Sequence, residues 1–479
     1  MVMNGVFRVL SLYGICAAVF SFLFHPGDNN WMLFGGGQLA FTALLGLPSV
    51  MSRKIKITDP LVFLTVPVTV GTVLGSLMIA FGDSRRRTYV MAEWDVGDFA
   101  QGMVFMLLSL TLISIGYCAT RRRIKLENIL PSTRHISQRG IQVGLMIGVA
   151  ISILSIMSYV QSTGGISLSA ISKKRAVEIA SEGEVVYAGA GYIRMLIGIS
   201  DYLLLILMAY YLKQSPRLKL SVKVQLVAVF LLAAFLPFIS SGRGALVGIF
   251  YGLLYVYVAY RDIRWSQMIA IAMVPLIIFG VMTGLRSEAQ GRADEGGFVN
   301  PLIALPESGN GLAITSTTAV LNSVPERMPY QMGGTLVSWV FAPIPRSIWP
   351  QKPDVSLGKR IKAEIYQRPV LRTGNPASFM AEGFMNFGLV GFLLCSLALG
   401  SLARLTANSF EAVMQSSILA PVLYYTTSIS IAGLTNSNFS QGFVRYIADV
   451  ISCLIAYMLL RYIIARRSSG QKLIGQQVA

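Results

Sequence analysis

Charge is what this chain of 479 residues has least of. Asp, Glu, Lys and Arg make up 13% of it, where a water-soluble protein carries about 25%. That excludes a soluble enzyme on a single anchor, and a disordered chain as well. Cysteine is scarce: Cys16, Cys118, Cys395 and Cys453 each lie in or at the end of an apolar run, with no CxxC or zinc-ligand spacing. They read as packing residues, and a disulfide scaffold is excluded. The two histidines, His25 and His135, both lie away from the long segment 286–375. No GxSxG, HExxH or P-loop pattern is placed to work, and no DxD-like carboxylate pair stands in the outward loops. Phosphate chemistry there would fall to Arg and Lys, with no metal or other cofactor. Internal repeats are missing too, which weakens a transporter built from two like halves.

What the chain has is apolar length. Hydrophobic residues make up 54% and the mean hydropathy is +0.62. The runs are continuous, not alternating, which disfavours an outer-membrane barrel. At roughly 20 residues per crossing, about twelve spans are expected: 5–24, 31–51, 60–81, 100–118, 141–160, 192–212, 224–240, 244–260, 267–285, 376–400, 416–434 and 444–464. The first is read as a retained helix, since no cation precedes Arg8 and no clean small-x-small site follows. The net charge of +18 comes largely from the connections that follow even-numbered spans, such as Arg121-Arg122-Arg123. Cytoplasmic loops carry this bias, so both termini are expected in the cytoplasm and no nucleic-acid partner is implied.

The fold class expected is therefore an all-α polytopic membrane protein in three parts. Residues 1–285 form a first bundle, 286–375 one large folded periplasmic loop, and 376–479 a second bundle. The loop is too rich in Trp, Pro and aliphatic residues for a tether. From Arg327 to Arg372 it gathers cations on the side where topology gives them no reason to collect, which reads as an anion site or a basic, headgroup-facing surface. Its most distinctive stretch is Pro343-Ile344-Pro345-Arg346-Ser347-Ile348-Trp349-Pro350-Gln351-Lys352-Pro353. Four prolines stiffen the backbone that carries Arg346 and Lys352. Leu357, Ile361 and Ile365 then recur at helical spacing with Lys359, Arg360 and Lys362 off the stripe, predicting a short amphipathic helix with Asp354 as its cap.

Six further positions carry candidate chemistry. Arg243 stands in a tight turn between two glycines, and reads as a ligand contact or a helix-end residue reaching headgroups. Arg194 is at the outer end of one span, and Arg286 and Arg372 flank the loop. Glu382 lies in the outer part of the tenth span with Asn386 four residues on. A carboxylate there should face the bundle interior, where it would hold a cation, bind a sugar hydroxyl, act as a base, or pair with a loop arginine.

With these motifs in view, the chain resembles the Wzy-type polymerases of bacterial O-antigen and exopolysaccharide repeat units. The resemblance is carried by Ser241-Gly242-Arg243-Gly244, by the Pro/Trp/Lys-Pro stretch, and by Gly374-Asn375-Pro376 leading into Glu382-Gly383 and Asn386-Phe387-Gly388-Leu389-Val390-Gly391. It implies a GT-C-like bundle in the bacterial inner membrane. The implied substrates are undecaprenyl-diphosphate-linked oligosaccharides, and a chain-length regulator and a flippase would act in the same pathway. Glu382, Arg243 and Arg346 would then be catalytic. Arg194, Arg286, Lys352, Arg360, Arg372, Asp354 and Asn386 would bind diphosphate or sugar. A transporter or flippase for lipid-linked or anionic sugars is the alternative, and polar groups at mid-membrane would distinguish it.

Overall fold

The computed structural model describes residues 3–51, 55–82, 91, 93–131, 138–162, 196, 198–214, 219–239, 243–264, 266–267, 270–271, 273–278, 280–281, 313–344, 348–349, 351–367, 375 and 377–461. Every regular element among them is helical. The chain forms two compact units that do not follow its linear order. Unit 1 joins Met1–Ile124, Leu302–Ser409 and Thr427–Tyr446; unit 2 joins Lys125–Pro301, Phe410–Thr426 and Ile447–Ala479. Residues 1–285 thus contribute to both units, and so do residues 376–479.

Unit 1 begins with α1 (Asn4–Phe24), α2 (Asn29–Val50), α3 (Pro60–Phe81) and α4 (Val96–Ala119). Each of the last three starts where an aspartate satisfies an otherwise orphaned backbone N–H. Asp28 accepts from the Asn30 amide, Asp59 from Leu61 with Pro60 opening the helix, and Asp95 from Asp98 in a reciprocal capping box. Helix α3 is not uniform: Pro67 cannot donate to the ladder, and a wide π turn, Thr69–Leu74, follows it. Arg8 donates to the Ser49 carbonyl and Thr42 to that of Ser11, so α1 and α2 are antiparallel.

Unit 2 is built on α5 (Gln138–Ser162), α6 (Ile199–Gln214), α7 (Leu220–Ile239) and α8 (Arg243–Tyr260). Its core includes Leu203, Ile206, Leu207 and Val256. Polar ties sit at helix ends: Arg261 donates to the Leu212 carbonyl, and Lys213 to that of Ser416.

The later chain supplies α9 (Ala313–Ser323), α10 (Phe379–Glu411), α11 (Leu419–Gly433) and α12 (Phe439–Arg461). Seven helices among the described residues are long and apolar enough to cross a membrane, and Leu220–Phe235 and Gly244–Tyr260 are shorter apolar helices. Helix α10 departs from the straight span expected at 376–400. Phe387 and Gly388 leave helical geometry, and Gly388 has φ +61°, a region glycine tolerates. A Cβ on Gly383 would collide with the carbonyl of Gly391, and a Cβ on Gly391 with that of Gly383. In a straight helix these residues stand about 12 Å apart, so the chain folds back. Residues 379–386 form a short arm, α10a, about 12 Å long, against the roughly 30 Å of a hydrocarbon core. The arm cannot cross by itself. Residues 389–411, α10b, are the part of α10 long enough to cross.

Helix α10b runs parallel to α4. Ser396 bonds Ser109 at 2.9 Å, Arg404 bonds Tyr117 at 3.1 Å, and Ser409 accepts from the Ile124 amide at 2.8 Å. Unit 1 consequently has two distinct ends. Arg8, Lys56, Arg121, Arg122, Arg123 and Arg404 lie where α1 and α3 begin and α2 and α4 finish. The other end carries a cap built from α9 and the turns at 334–341 and 358–365. Arg327 anchors that cap to the start of α4, through Glu93 at 3.3 Å, and also donates to the Ile365 carbonyl at 2.8 Å.

Candidate functional site

The capped end of unit 1 encloses an unusual amount of polar side chain. Along α9, Thr315, Ser316, Thr317 and Thr318 are all buried, as are Thr335, Ser338, Ser378, Asn438 and Ser440 from neighbouring segments. In the middle of this group is Glu382, which is 0% exposed.

Local rules place it there. Ser378 starts α10a, its hydroxyl accepting the Ala381 amide at 3.2 Å. That puts Glu382 one turn into the arm, and the fold-back at Gly388 turns the arm toward the first turn of α12. The Phe439 amide, the first of that helix, donates to Glu382 Oε2 at 2.5 Å. A carboxylate is favoured here, because a helix N-terminus offers unsatisfied N–H groups and the positive end of the helix dipole. The other oxygen, Oε1, is buried without a hydrogen-bond partner among the described residues, and so is Asn438 Oδ1, one residue before α12. Asn438 is oriented unambiguously, since its Nδ2 donates to the Val355 carbonyl at 2.8 Å.

Asn386 does not turn toward the Glu382 carboxylate. Its Oδ1 accepts the Gly333 amide at 2.8 Å, and its Nδ2 donates to Thr335 Oγ1 at 2.7 Å and to the Glu382 carbonyl at 2.8 Å. An amide nitrogen only donates. Thr335 Oγ1 is therefore the acceptor in that contact, and its own proton points elsewhere. The Glu382 carboxylate is beside it. Ser440 completes the set by donating to the Thr335 carbonyl at 2.5 Å and accepting from the Trp339 amide at 3.2 Å.

The cations expected to converge are placed as follows. Lys352 directs Nζ at three carbonyls of its own loop: Ile344 at 2.6 Å, Ala342 at 3.2 Å and Phe341 at 3.4 Å. Arg360 forks onto Glu364 at 3.0 and 3.4 Å and reaches Gln331 Oε1 at 3.0 Å. Asp354 is exposed and does not cap the following helical turn, whose first residues lack a side-chain cap. The stripe Leu357, Ile361 and Ile365 is buried in the unit 1 core, as its spacing predicts, although the turn widens to a π form at Ile361–Ile365. Arg243 opens α8 in unit 2. Arg194, Arg286, Arg346 and Arg372 lie outside the described residues.

A second polar cluster stands at the basic end. Tyr117 donates to Asp59 Oδ2 at 2.5 Å, Arg404 donates to the Tyr117 oxygen at 3.1 Å, and Arg404 and Asp59 are 4.0 Å apart. Arg404 also lies over the Tyr117 ring at 5.2 Å. Asp59 Oδ1 meanwhile caps α3. The cluster ties α3, α4 and α10b together with buried charge. Ser114, bonded to the Ala43 and Leu44 carbonyls at 2.7 and 2.9 Å, adds α2.

Sequence reasoning found Glu382 and Asn386 and missed Thr335, Asn438, Ser440 and the hydroxyls of α9. The available signal was the Asn438-Phe439-Ser440 sequence, a helix start of the Asn-cap kind directly after an apolar span. Compared with known families, curated proteins and solved structures, the chain matches none. What fold and site define is an α-helical, multi-pass membrane protein with a buried carboxylate under a cap at one end of its first unit.

Proposed function

We propose that this protein is a membrane glycosyltransferase that joins oligosaccharide repeat units carried on undecaprenyl diphosphate at the periplasmic face of a bacterial inner membrane. The observation that supports it best is Glu382, a buried carboxylate with one oxygen lacking a hydrogen-bond partner among the described residues, close to buried hydroxyls. Burying such a group is costly unless it is used or fully bonded. It stands at the end of unit 1 away from the cations Arg8, Lys56, Arg121, Arg122, Arg123 and Arg404. Cations favour the cytoplasmic side, which orients the cap and Glu382 outward.

In this reading Glu382 accepts the proton of an acceptor hydroxyl as that oxygen attacks the anomeric carbon of the donor sugar. The bond from that carbon to the diphosphate breaks, and the diphosphate leaves with the electron pair. Stabilising its charge is worth several kcal/mol, about 3–4 for one well-placed donor. Lys352 and Arg360 are held by their own chain, so we assign the diphosphate to Arg346 and Arg372, which belong to the same unit as Glu382.

Purified protein in nanodiscs, given lipid-linked repeat units, should yield a ladder of longer products. Unchanged repeat units would reject the proposal, and their appearance on the far side of a liposome without elongation would select the transporter.

A further inference from the structure

The segment 331–341 is inside out. Its buried side chains are polar, Thr335 and Ser338, while Met332, Val337 and Val340 are 78%, 54% and 52% exposed. A water-facing turn would reverse this, as residues 357–365 do, with Leu357, Ile361 and Ile365 inward and Lys359 outward. Segment 331–341 is therefore suited to apolar surroundings. The exposed face of α10 continues the surface, since Gly333 abuts Phe387, and Phe387, Leu389 and Val390 are exposed.

The same segment lies over Glu382, held by a few polar bonds together with the Trp339 ring against Phe443 at 4.8 Å and Leu336 against the core. Asn386 grips Gly333 and Thr335, Ser440 grips Thr335 and Trp339, and the Gln331 amide donates to the Met385 carbonyl at 2.9 Å. Its two ends differ in kind. At one, Met332 and Gly333 both have positive φ, +47° and +87°, a conformation of high local strain for methionine. At the other, Lys352 fixes the carbonyls of Phe341, Ala342 and Ile344. That is a hinge and an anchored base.

We propose that residues 331–341 are a lid over Glu382, latched by Asn386 and Ser440, and that the Thr335 hydroxyl occupies the place taken by the acceptor hydroxyl of the substrate when the lid lifts. Glu382 Oε1 and Asn438 Oδ1, two buried acceptors with no hydrogen-bond partner among the described residues, are what a hydroxyl-bearing ligand would satisfy once Thr335 has moved away. Closing the lid in the absence of ligand turns its polar face inward and presents an apolar face to lipid, which avoids exposing a polar chamber to hydrocarbon. Asn386 is then a positioning residue: it fixes Thr335 as a donor and touches no substrate.

The idea rests on the glycosyltransferase reading, but its test needs no activity. Glu382→Cys is made in a chain whose four native cysteines are replaced by alanine, and its rate of modification by a small, water-soluble methanethiosulfonate is followed in nanodiscs. With the latch intact, labelling should be slow. Adding Asn386→Ala should speed it about tenfold to a hundredfold, the scale of its two lost hydrogen bonds to Gly333 and Thr335. Ser440→Ala should act in the same direction, and it serves if the Asn386 variant does not elute as a monodisperse species. Equal rates with and without the latch, whether fast or slow, would overturn the lid. A ladder assay that fails while the latch variants still accelerate labelling would remove the glycosyltransferase reading and leave the lid standing.

Discussion

Glutamine at position 382 separates a chemical role from a structural one. The Glu382 carboxylate has one bonded oxygen, taking the Phe439 amide at 2.5 Å, and one without a hydrogen-bond partner among the described residues. Glu382→Gln keeps an acceptor for Phe439 and places an NH2 group where Oε1 stood. A charge-assisted bond becomes a neutral one, a loss of about 1 kcal/mol. Removing the desolvation cost of a buried carboxylate returns a comparable amount. Net stability should therefore stay within about 1 kcal/mol of the parent. Glu382→Ala differs. It leaves the first amide of α12 without its acceptor, about 1–3 kcal/mol, and opens a cavity in a closed site, so a loss of about 2–5 kcal/mol is expected. Thermal unfolding in detergent, read beside product ladders, measures both. The Gln variant should unfold like the parent while turnover falls about 10²–10⁴-fold, the usual worth of a general base. If Gln and Ala lose stability equally, Glu382 is an ion-pair partner. If the Gln variant makes normal polymer, Glu382 is not the base.

At the basic end, Arg404→Ala removes a cation 4.0 Å from the buried Asp59 and its bond to Tyr117 and should cost about 3–5 kcal/mol, whereas Tyr117→Phe removes one bond to a carboxylate and should cost about 1–3 kcal/mol; equal unfolding midpoints would show that Arg404 does not neutralise Asp59. Lys352→Met should loosen the 341–344 turn and lower the unfolding midpoint without weakening lipid-donor binding, while weaker binding at an unchanged midpoint would return Lys352 to the diphosphate site. The exposed Lys359, changed to Cys, should react with an impermeant maleimide from outside spheroplasts, and reaction only after permeabilisation would reverse the orientation.

Apolar length, charge bias and local spacing made much of the membrane architecture legible in the sequence. A run of about 20 apolar residues must satisfy its own backbone in lipid, and a helix does so without reference to the rest of the chain. α1 through α4 accordingly stand close to where hydropathy puts them. The stripe Leu357, Ile361, Ile365 was readable for the same reason, as burial follows a period of one turn. The break in α10 was not. Hydropathy runs smoothly through Phe387 and Gly388, and the fold-back depends on the contact of Gly383 with Gly391 and on the grip of Gly333 and Thr335, some 50 residues upstream, by Asn386.

The partners of charged side chains were likewise a tertiary matter. Lys352 and Arg360 carry the charge that suggested an anion site, yet their donors meet carbonyls and a carboxylate that the fold brings within reach. Glu382 was visible as an anomaly because a carboxylate in an apolar run is costly wherever it lies. What surrounds it, the α12 amide, the Thr335 hydroxyl and the lid above, comes from segments whose proximity only the folded chain creates, because hydrogen bonds act over about 3 Å in space and are indifferent to distance along the sequence.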